Sequence, residues 1–298
     1  VSTVGANPLS RPTDRLWRRK AVSRGFELLA MLAAFIGVAI LGIVVYKIVQ
    51  FGASQVNWDL FTKGQIPFAP PGVPQGLANA FAGSLVIVGL SALMGIPFGV
   101  LVAIYLVEFA PIAVRNFVSL ILDILMGVPA IVLGIFYYSL LVIGDKQRAI
   151  YASIALATMM LPLVARATSE VLLLVPNSLR EASLGLGVPR WRTTLGVILP
   201  QSIGGIITGA ILAIARIAGE AAPLLFLSSI VGTDVSWNPF QALANVPLAI
   251  FNLIESPYPQ DHARAWAAAT VLTAFVLVTS LGARLFAART RTKLGRAA

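Results

Sequence analysis

Six apolar stretches constrain what this chain can be. They run over residues 28–49, 79–107, 117–143, 150–174, 201–230 and 265–286. A helix needs about 20 apolar residues to cross the hydrocarbon core of a bilayer, and each stretch supplies them. Inside the bilayer every backbone N–H and C=O must be satisfied within the chain, so such segments are helices. The expectation is an all-α membrane protein with six transmembrane helices. Composition agrees: 58% of the 298 residues are hydrophobic and 11% are charged, too apolar for one soluble domain. There is no cysteine, which excludes disulfides and thiolate-bound metal. The single histidine, His262, reads as a solvated loop residue, and no metal ligand or catalytic group is assigned.

The net charge of +10 is sorted by side of the membrane rather than gathered for nucleic acid. Residues 1–27 form a basic arm carrying Arg11, Arg15, Arg18, Arg19, Lys20 and Arg24. The apolar run behind it is too long for a signal peptide, and no small-residue cleavage site ends it. Leu16, Trp17 and Phe26 suit a helix resting at the membrane surface. With both termini cytoplasmic, fifteen of the 22 basic residues fall inside, as the positive-inside rule requires. The resulting division is an arm (1–27), a first transmembrane helix (28–49), a Pro-rich external loop (50–78), a transmembrane domain (79–288) and a cytoplasmic tail (289–298). Within the domain, residues 231–264 form an external segment whose apolar part, 238–254, suits a short interfacial or re-entrant helix.

The loop at 178–200 is polar and punctuated by Gly and Pro. Ser178-Leu179-Arg180-Glu181 has the spacing of a capping box behind Pro176 and Asn177. That predicts a short helix from Ser178, ended by Gly185 and Gly187. Pro189 then opens a second short helix to Ile198, and Pro200 separates it from the fifth span. Two short helices at a sharp angle make a knob projecting from the bilayer. An ordinary connecting loop, with Glu181 as its cap, fits the same local physics.

The same residues resemble the EAA loop of ABC-importer permeases, whose pattern is EAA, three residues, Gly, nine residues, I-x-L-P. Glu181-Ala182-Ser183, Gly187, Val197, Leu199 and Pro200 keep the spacing, with Ser183 for the second Ala and Val197 for Ile. The resemblance implies that Glu181, Ala182, Ser183, Gly187 and Arg190 dock into a groove of a nucleotide-binding subunit, which couples the two mechanically.

Charges within spans are the second point of interest. Arg216 and Glu220 are four residues apart in the fifth span, near the bilayer middle and on one helix face. Arg166 and Glu170 repeat the spacing in the fourth span, nearer the cytoplasm. Each such charge costs roughly 2.5–3.5 kcal/mol at the membrane centre, so it faces protein or water. Arg216 and Glu220 are either a self-neutralising structural pair or a gate in which an anion competes with Glu220 for the Arg216 fork. Arg166 and Glu170 either line the same path, or Arg166 snorkels or braces the docking loop.

R-x-x-G-E followed by A-A-P-L-L, from Arg216 to Leu225, resembles the fifth-span signature of permeases of the phosphate-specific transport system. GVPAIVLG, from Gly127 to Gly134, resembles their third-span signature, with Ala130 where Ser is usual. The resemblance implies a MetI-like type I ABC importer permease fold in the inner (plasma) membrane of a prokaryote. It also implies phosphate passage past Arg216 and Glu220, a homologous second permease, two ATPase subunits and an external phosphate-binding protein. The chain has no Walker A string, so ATP and Mg belong to the ATPase partner, and no cofactor is expected in this chain. Sulfate, phosphonate or molybdate are rival substrates, since one Arg does not choose among oxyanions. An ion-coupled secondary carrier is a rival of another class. It would not need the docking loop, and the inverted repeats typical of carriers are not evident. A membrane enzyme lacks support from any His, Cys or paired-carboxylate cluster.

Overall fold

The computed structural model describes residues 14–66, 73, 75–228 and 234–294, with side chains described from Trp17 to Ala287 within them. The chain divides into two compact units, Val1–Gln50 and Phe51–Ala298. The first is carried by helix α1, Asp14–Gly52, which ends two residues into the second unit. The expected surface arm and first span are thus one continuous helix, because no proline interrupts residues 14–52. Trp17 and Phe26 are exposed near its start, and Phe35, Ile40 and Tyr46 are exposed along the apolar run. That is the pattern of a helix whose solvent is lipid. The part of the arm before Asp14 lies outside the described residues.

The second unit begins with structure where a loop was expected. A 3-10 turn, Ala53–Gln55, leads to α2, Trp58–Thr62, whose start is capped by Asn57 Oδ1 accepting from Leu60 N at 2.9 Å. Helix α3, Ala78–Ile104, continues into a π-turn, Tyr105–Phe109. Helices α4, Ile112–Gly127, and α5, Ala130–Tyr137 with its π-turn Tyr138–Val142, meet at 96°. Pro129 causes the break: it offers no N–H and holds Val128 extended at φ −67° and ψ 128°. Helix α6, Ala149–Leu173, is followed by α7, Asn177–Gly185, and α8, Arg190–Thr193. A π-turn, Thr194–Ile198, then joins α9, Leu199–Ile217. Beyond come α10, Leu224–Leu227, α11, Val246–Glu255, and α12, Pro259–Leu294. Five helical runs among the described residues are long and apolar enough to span a membrane, and the bent pair, taken as one span, makes six.

Two corrections concern the fifth span. It stops at Ile217, not at residue 230, since Ala218–Pro223 forms a turn in which Glu220 N donates to Ile217 O at 3.0 Å. It also starts earlier: Arg190–Ile217 is one helical run of 28 residues. Pro200 does not separate the docking helix from the span. It sits in the first turn of α9, immediately after the π-turn, whose i→i+5 bonding closes with Leu199 N on Thr194 O. The extra residue absorbs the missing donor and the steric clash that Pro would otherwise impose.

The core forms where small residues let helices approach. On α3, Ile87, Ser91, Gly95, Gly99 and Ala103 recur every fourth residue and are all buried. A Cβ at Gly95 would lie 3.0 Å from Met160 Cβ, and one at Gly99 would lie 2.9 Å from Leu161 O. Ser91 Oγ is 2.6 Å from Ile87 O and 3.0 Å from Ser153 O, so the seam between α3 and α6 also carries a hydrogen bond. Helix α9 joins α6 in the same way, with Gly205 against Val171 and Gly209 against Ala167. These are small-residue contacts of the kind that pack helices in lipid. Helix α11 covers only the end of the segment expected at 238–254. Val246, Pro247, Leu248, Ala249 and Leu253 are buried, mainly against α12 and α3. His262, expected in a loop, lies in the first turn of α12 and donates from Nε2 to Ser256 O at 2.7 Å.

Candidate functional site

The 178–200 loop folds into the expected knob, with different caps. Helix α7 starts at Asn177 behind Pro176, and no side chain caps it, so Ser178 and Glu181 do not form a capping box. Pro176, at φ −58° and ψ 139°, already supplies the flanking geometry one residue earlier. The far end is as expected at Gly187, whose φ of +78° suits a residue without Cβ. Gly187 N donates to Leu184 O at 2.9 Å and Val188 N to Ser183 O at 3.2 Å, a Schellman motif. Gly185 is the last helical residue and not the turn itself. Ser183 Oγ and Thr193 Oγ1 are 2.9 Å apart and buried, which ties α7 to α8. The hydroxyl that departs from the EAA pattern therefore has a structural use. Glu181, Ala182 and Arg190 are exposed. Leu186 is 84% exposed, and Trp191 and Leu195 are also exposed, so the knob presents apolar tips beside its charges.

The charges within the spans are arranged differently from the expected pairs. Arg166 does not pair with Glu170. Its guanidinium forms an ion pair with Asp123 of α4, and Nη2 donates to Ser119 O at 3.1 Å. Glu170 is exposed. Arg216 stands in the last turn of α9 and Glu220 beyond the helix end, so they share neither a helix nor a face. Among the described residues no ion pair joins them, and Arg216 is exposed. Arg216 is not at mid-helix: its position beside terminal carbonyls lets the helix dipole favour its charge.

The turn that carries Glu220 packs against α5 beyond the bend in the third span. Gly134 of α5 abuts Pro223 so closely that a Cβ would lie 2.7 Å from Pro223 Cα. Phe226 of α10 meets the Tyr138 ring at 6.3 Å, and its carbonyl accepts from Gln147 Nε2 at 3.0 Å. The turn that ends the fifth span is thus packed against α5, the second half of the third span. Among the described residues no cluster of His, Cys, Asp and Glu could hold a metal ion.

The profile of a family described as "Binding-protein-dependent transport system inner membrane component" matches residues 95–292. The chain belongs to this family. Proteins named "Phosphate transport system permease protein PstA" resemble it along most of their length. That of Xylella fastidiosa strain Temecula1 is 38% identical, the alignment covering 92% of this chain and 95% of that protein. The Haemophilus influenzae protein is 36% identical, with 91% and 96% covered. A Mycobacterium tuberculosis member, PstA 1, is 36% identical, with 80% and 77% covered. Solved structures share the MetI-like fold. A bacterial ABC transporter involved in import of the acidic polysaccharide alginate gives a TM-score of 0.59 at 18% identity, covering 92% of this chain and 99% of that one. The methionine ABC transporter MetNI gives 0.55 at 18% identity, covering 71% and 93%. As an inner membrane component of this family, the chain is a multi-pass membrane protein and a transporter part rather than an enzyme. Its sequence pattern missed Asp123 as the partner of Arg166, since the two are 43 positions apart and on different helices.

Proposed function

We propose that the chain is the transmembrane subunit of an ATP-driven importer that carries inorganic phosphate from an external binding protein to the cytoplasm. The observation that carries this reading is the single helical run Arg190–Ile217, about 42 Å long at 1.5 Å per residue. It begins in the docking knob and ends at Arg216. A push on α8 by an ATPase therefore acts on the same rod that carries the Arg216 guanidinium. Phosphate as substrate follows the relatives' names, and the planar Arg fork suits its oxygens. The complex comprises this chain, a homologous permease, two ATPase subunits that bind ATP and Mg, and an external phosphate-binding protein. Both termini and the knob are cytoplasmic, as the basic residues indicate. Arg216 and Glu220 line the path. Arg166, held by Asp123, braces α4 against α6, and Glu170 lies on the same helix one turn on. Glu181, Ala182, Ser183, Gly187 and Arg190 form the docking surface.

The test is phosphate uptake into vesicles containing the purified complex, with ATP, the binding protein, and sulfate or molybdate as competitors. Uptake that needs the ATPase and is blocked only by phosphate analogues is expected. Uptake driven by an ion gradient without the ATPase would overturn the reading.

A further inference from the structure

Arg180, on the docking helix α7, has every donor engaged. Nη2 donates to Glu108 Oε1 at 2.9 Å and to Leu172 O at 2.8 Å. Nη1 donates to Val175 O at 2.6 Å and to Asn177 Oδ1 at 3.2 Å. Nε reaches Glu108 Oε1 at 3.3 Å. Five N–H groups thus contact three parts of the fold: the end of α6 through Leu172 and Val175, the start of α7 through Asn177, and the π-turn after α3 through Glu108. The Arg180 side chain is 18% exposed and that of Glu108 is 9% exposed. Arg115 holds the same π-turn from α4, donating from Nε to Leu106 O at 2.8 Å and from Nη2 to Val107 O at 2.9 Å. An open cavity of about 480 Å³ lies beside these groups, lined also by Arg190 and Thr193 of α8. Arg180 therefore lies between the knob and the membrane helices.

We infer that Arg180 and Glu108 form a rigid link that passes displacement of the docking helix to the second and fourth spans together. The inference rests on the docking reading of the knob. Two physical points favour a link over a local cap. A cap for the α6 carbonyls needs one cation and no carboxylate, yet Glu108 is brought from 72 positions away and nearly buried for Arg180. A guanidinium is also planar and fixes all its partners in one geometry, which a flexible ammonium does not. Losing either partner leaves a largely buried charge uncompensated. A shift of α7 therefore moves Glu108 and the α6 end with it.

The experiment uses the assembled importer in lipid nanodiscs, with Arg180→Gln, Arg180→Lys and Glu108→Gln compared with wild type. Each is assayed for retained ATPase subunits, basal ATP hydrolysis, and the stimulation of hydrolysis by phosphate-loaded binding protein. Retention and basal hydrolysis should stay within about twofold of wild type in all three. Stimulation should fall about 3- to 30-fold in Arg180→Gln and Glu108→Gln, the range seen for residues that carry coupling between sites. Arg180→Lys should fall in between, since it keeps the charge but not the fork. Glu108→Gln is isosteric and leaves the α6 carbonyls capped, so its loss of stimulation separates a link from a cap. Normal stimulation in Glu108→Gln would overturn the link. Loss of ATPase retention in the variants would also overturn it, making Arg180 a scaffold of the knob. If the wild-type chain itself retained no ATPase, the docking reading would fall and the link with it.

Discussion

The docking end and the inner end of the rod Arg190–Ile217 treat arginine in opposite ways. Beside the docking end, Arg180 is largely buried and every donor has an acceptor within the chain. At the inner end, Arg216 is exposed and without an ion pair among the described residues. The first arrangement holds backbone segments in place and leaves nothing to offer a ligand. The second keeps the charge tolerable through the helix C-terminus, worth about 0.3–1 kcal/mol, with no carboxylate on the fork among the described residues. On the proposed function, the Arg216 end is the one able to meet a passing anion, with a helix terminus rather than a carboxylate behind it.

The largest effect should come from breaking the Arg216 end. Arg216→Gln should leave complex assembly intact and cut phosphate uptake about 10- to 100-fold, the worth of one charged hydrogen bond to an anion. The double variant Arg216→Gln with Glu220→Gln should stay as low. Restored uptake in the double variant would make the two a structural pair and erase the contrast between the ends. At the docking end, Gly187→Ala forces a Cβ into φ +78°, a strain of about 1–3 kcal/mol. Retention of the ATPase in pull-downs should fall about 10-fold, with uptake falling in step. Retention at the wild-type level would detach the knob from docking.

Gly134→Ala probes the packing between α5 and the turn that ends the fifth span. Its Cβ would meet backbone, Pro223 Cα at 2.7 Å, and overpacking of this kind costs about 1–3 kcal/mol. A lower melting temperature in detergent is expected, and an unchanged one would mean that the close contact of α5 with the Pro223 turn relaxes at no cost. The smallest effect lies in the turn before α6, apart from both ends. There the Lys146 backbone N–H, the Tyr151 hydroxyl and Arg148 hold the Asp145 carboxyl below its ordinary value. Its stabilisation is present above the unfolded value, about 3.9, and is lost as pH falls through the lower folded value. Hydrogen exchange of residues 144–148 should therefore be flat from pH 7 to about 4, after correction for intrinsic rates, and rise only below that. Protection lost near pH 6 would contradict the assignment.

What the sequence made legible was whatever depends on composition or on local backbone chemistry. The apolar stretches appear as helices in the expected places, and Pro129 bends the third span as an imino acid must. Gly187 takes the left-handed turn that ends α7. The end of the fifth span at Ile217 was harder to read, because Ala218, Ala221 and Ala222 are good helix formers. Gly219 and Pro223 were the available signals, and they were outweighed by the length of the apolar run. Pairings across the fold were not legible at all. Arg166 looked equally able to meet Glu170 four positions away, and Arg180 resembled part of a cap, because nothing local marks Asp123 or Glu108 as their partners. Spacing along one helix proposes a partner, and packing between helices decides it.

The π-turn at Thr194–Ile198 has a consequence for how such a rod is tuned. It stores one residue beyond what an α-helix of that length would use, and one residue is about 100° of rotation. Deleting Gly196 would return the segment to regular winding and swing α7 and α8 about the rod's axis, with no change to Glu181, Arg190 or Arg216 themselves. The angular phase between Arg190 at one end of the rod and Arg216 at the other is thus written as a length, and a single-residue insertion or deletion at this turn would shift it.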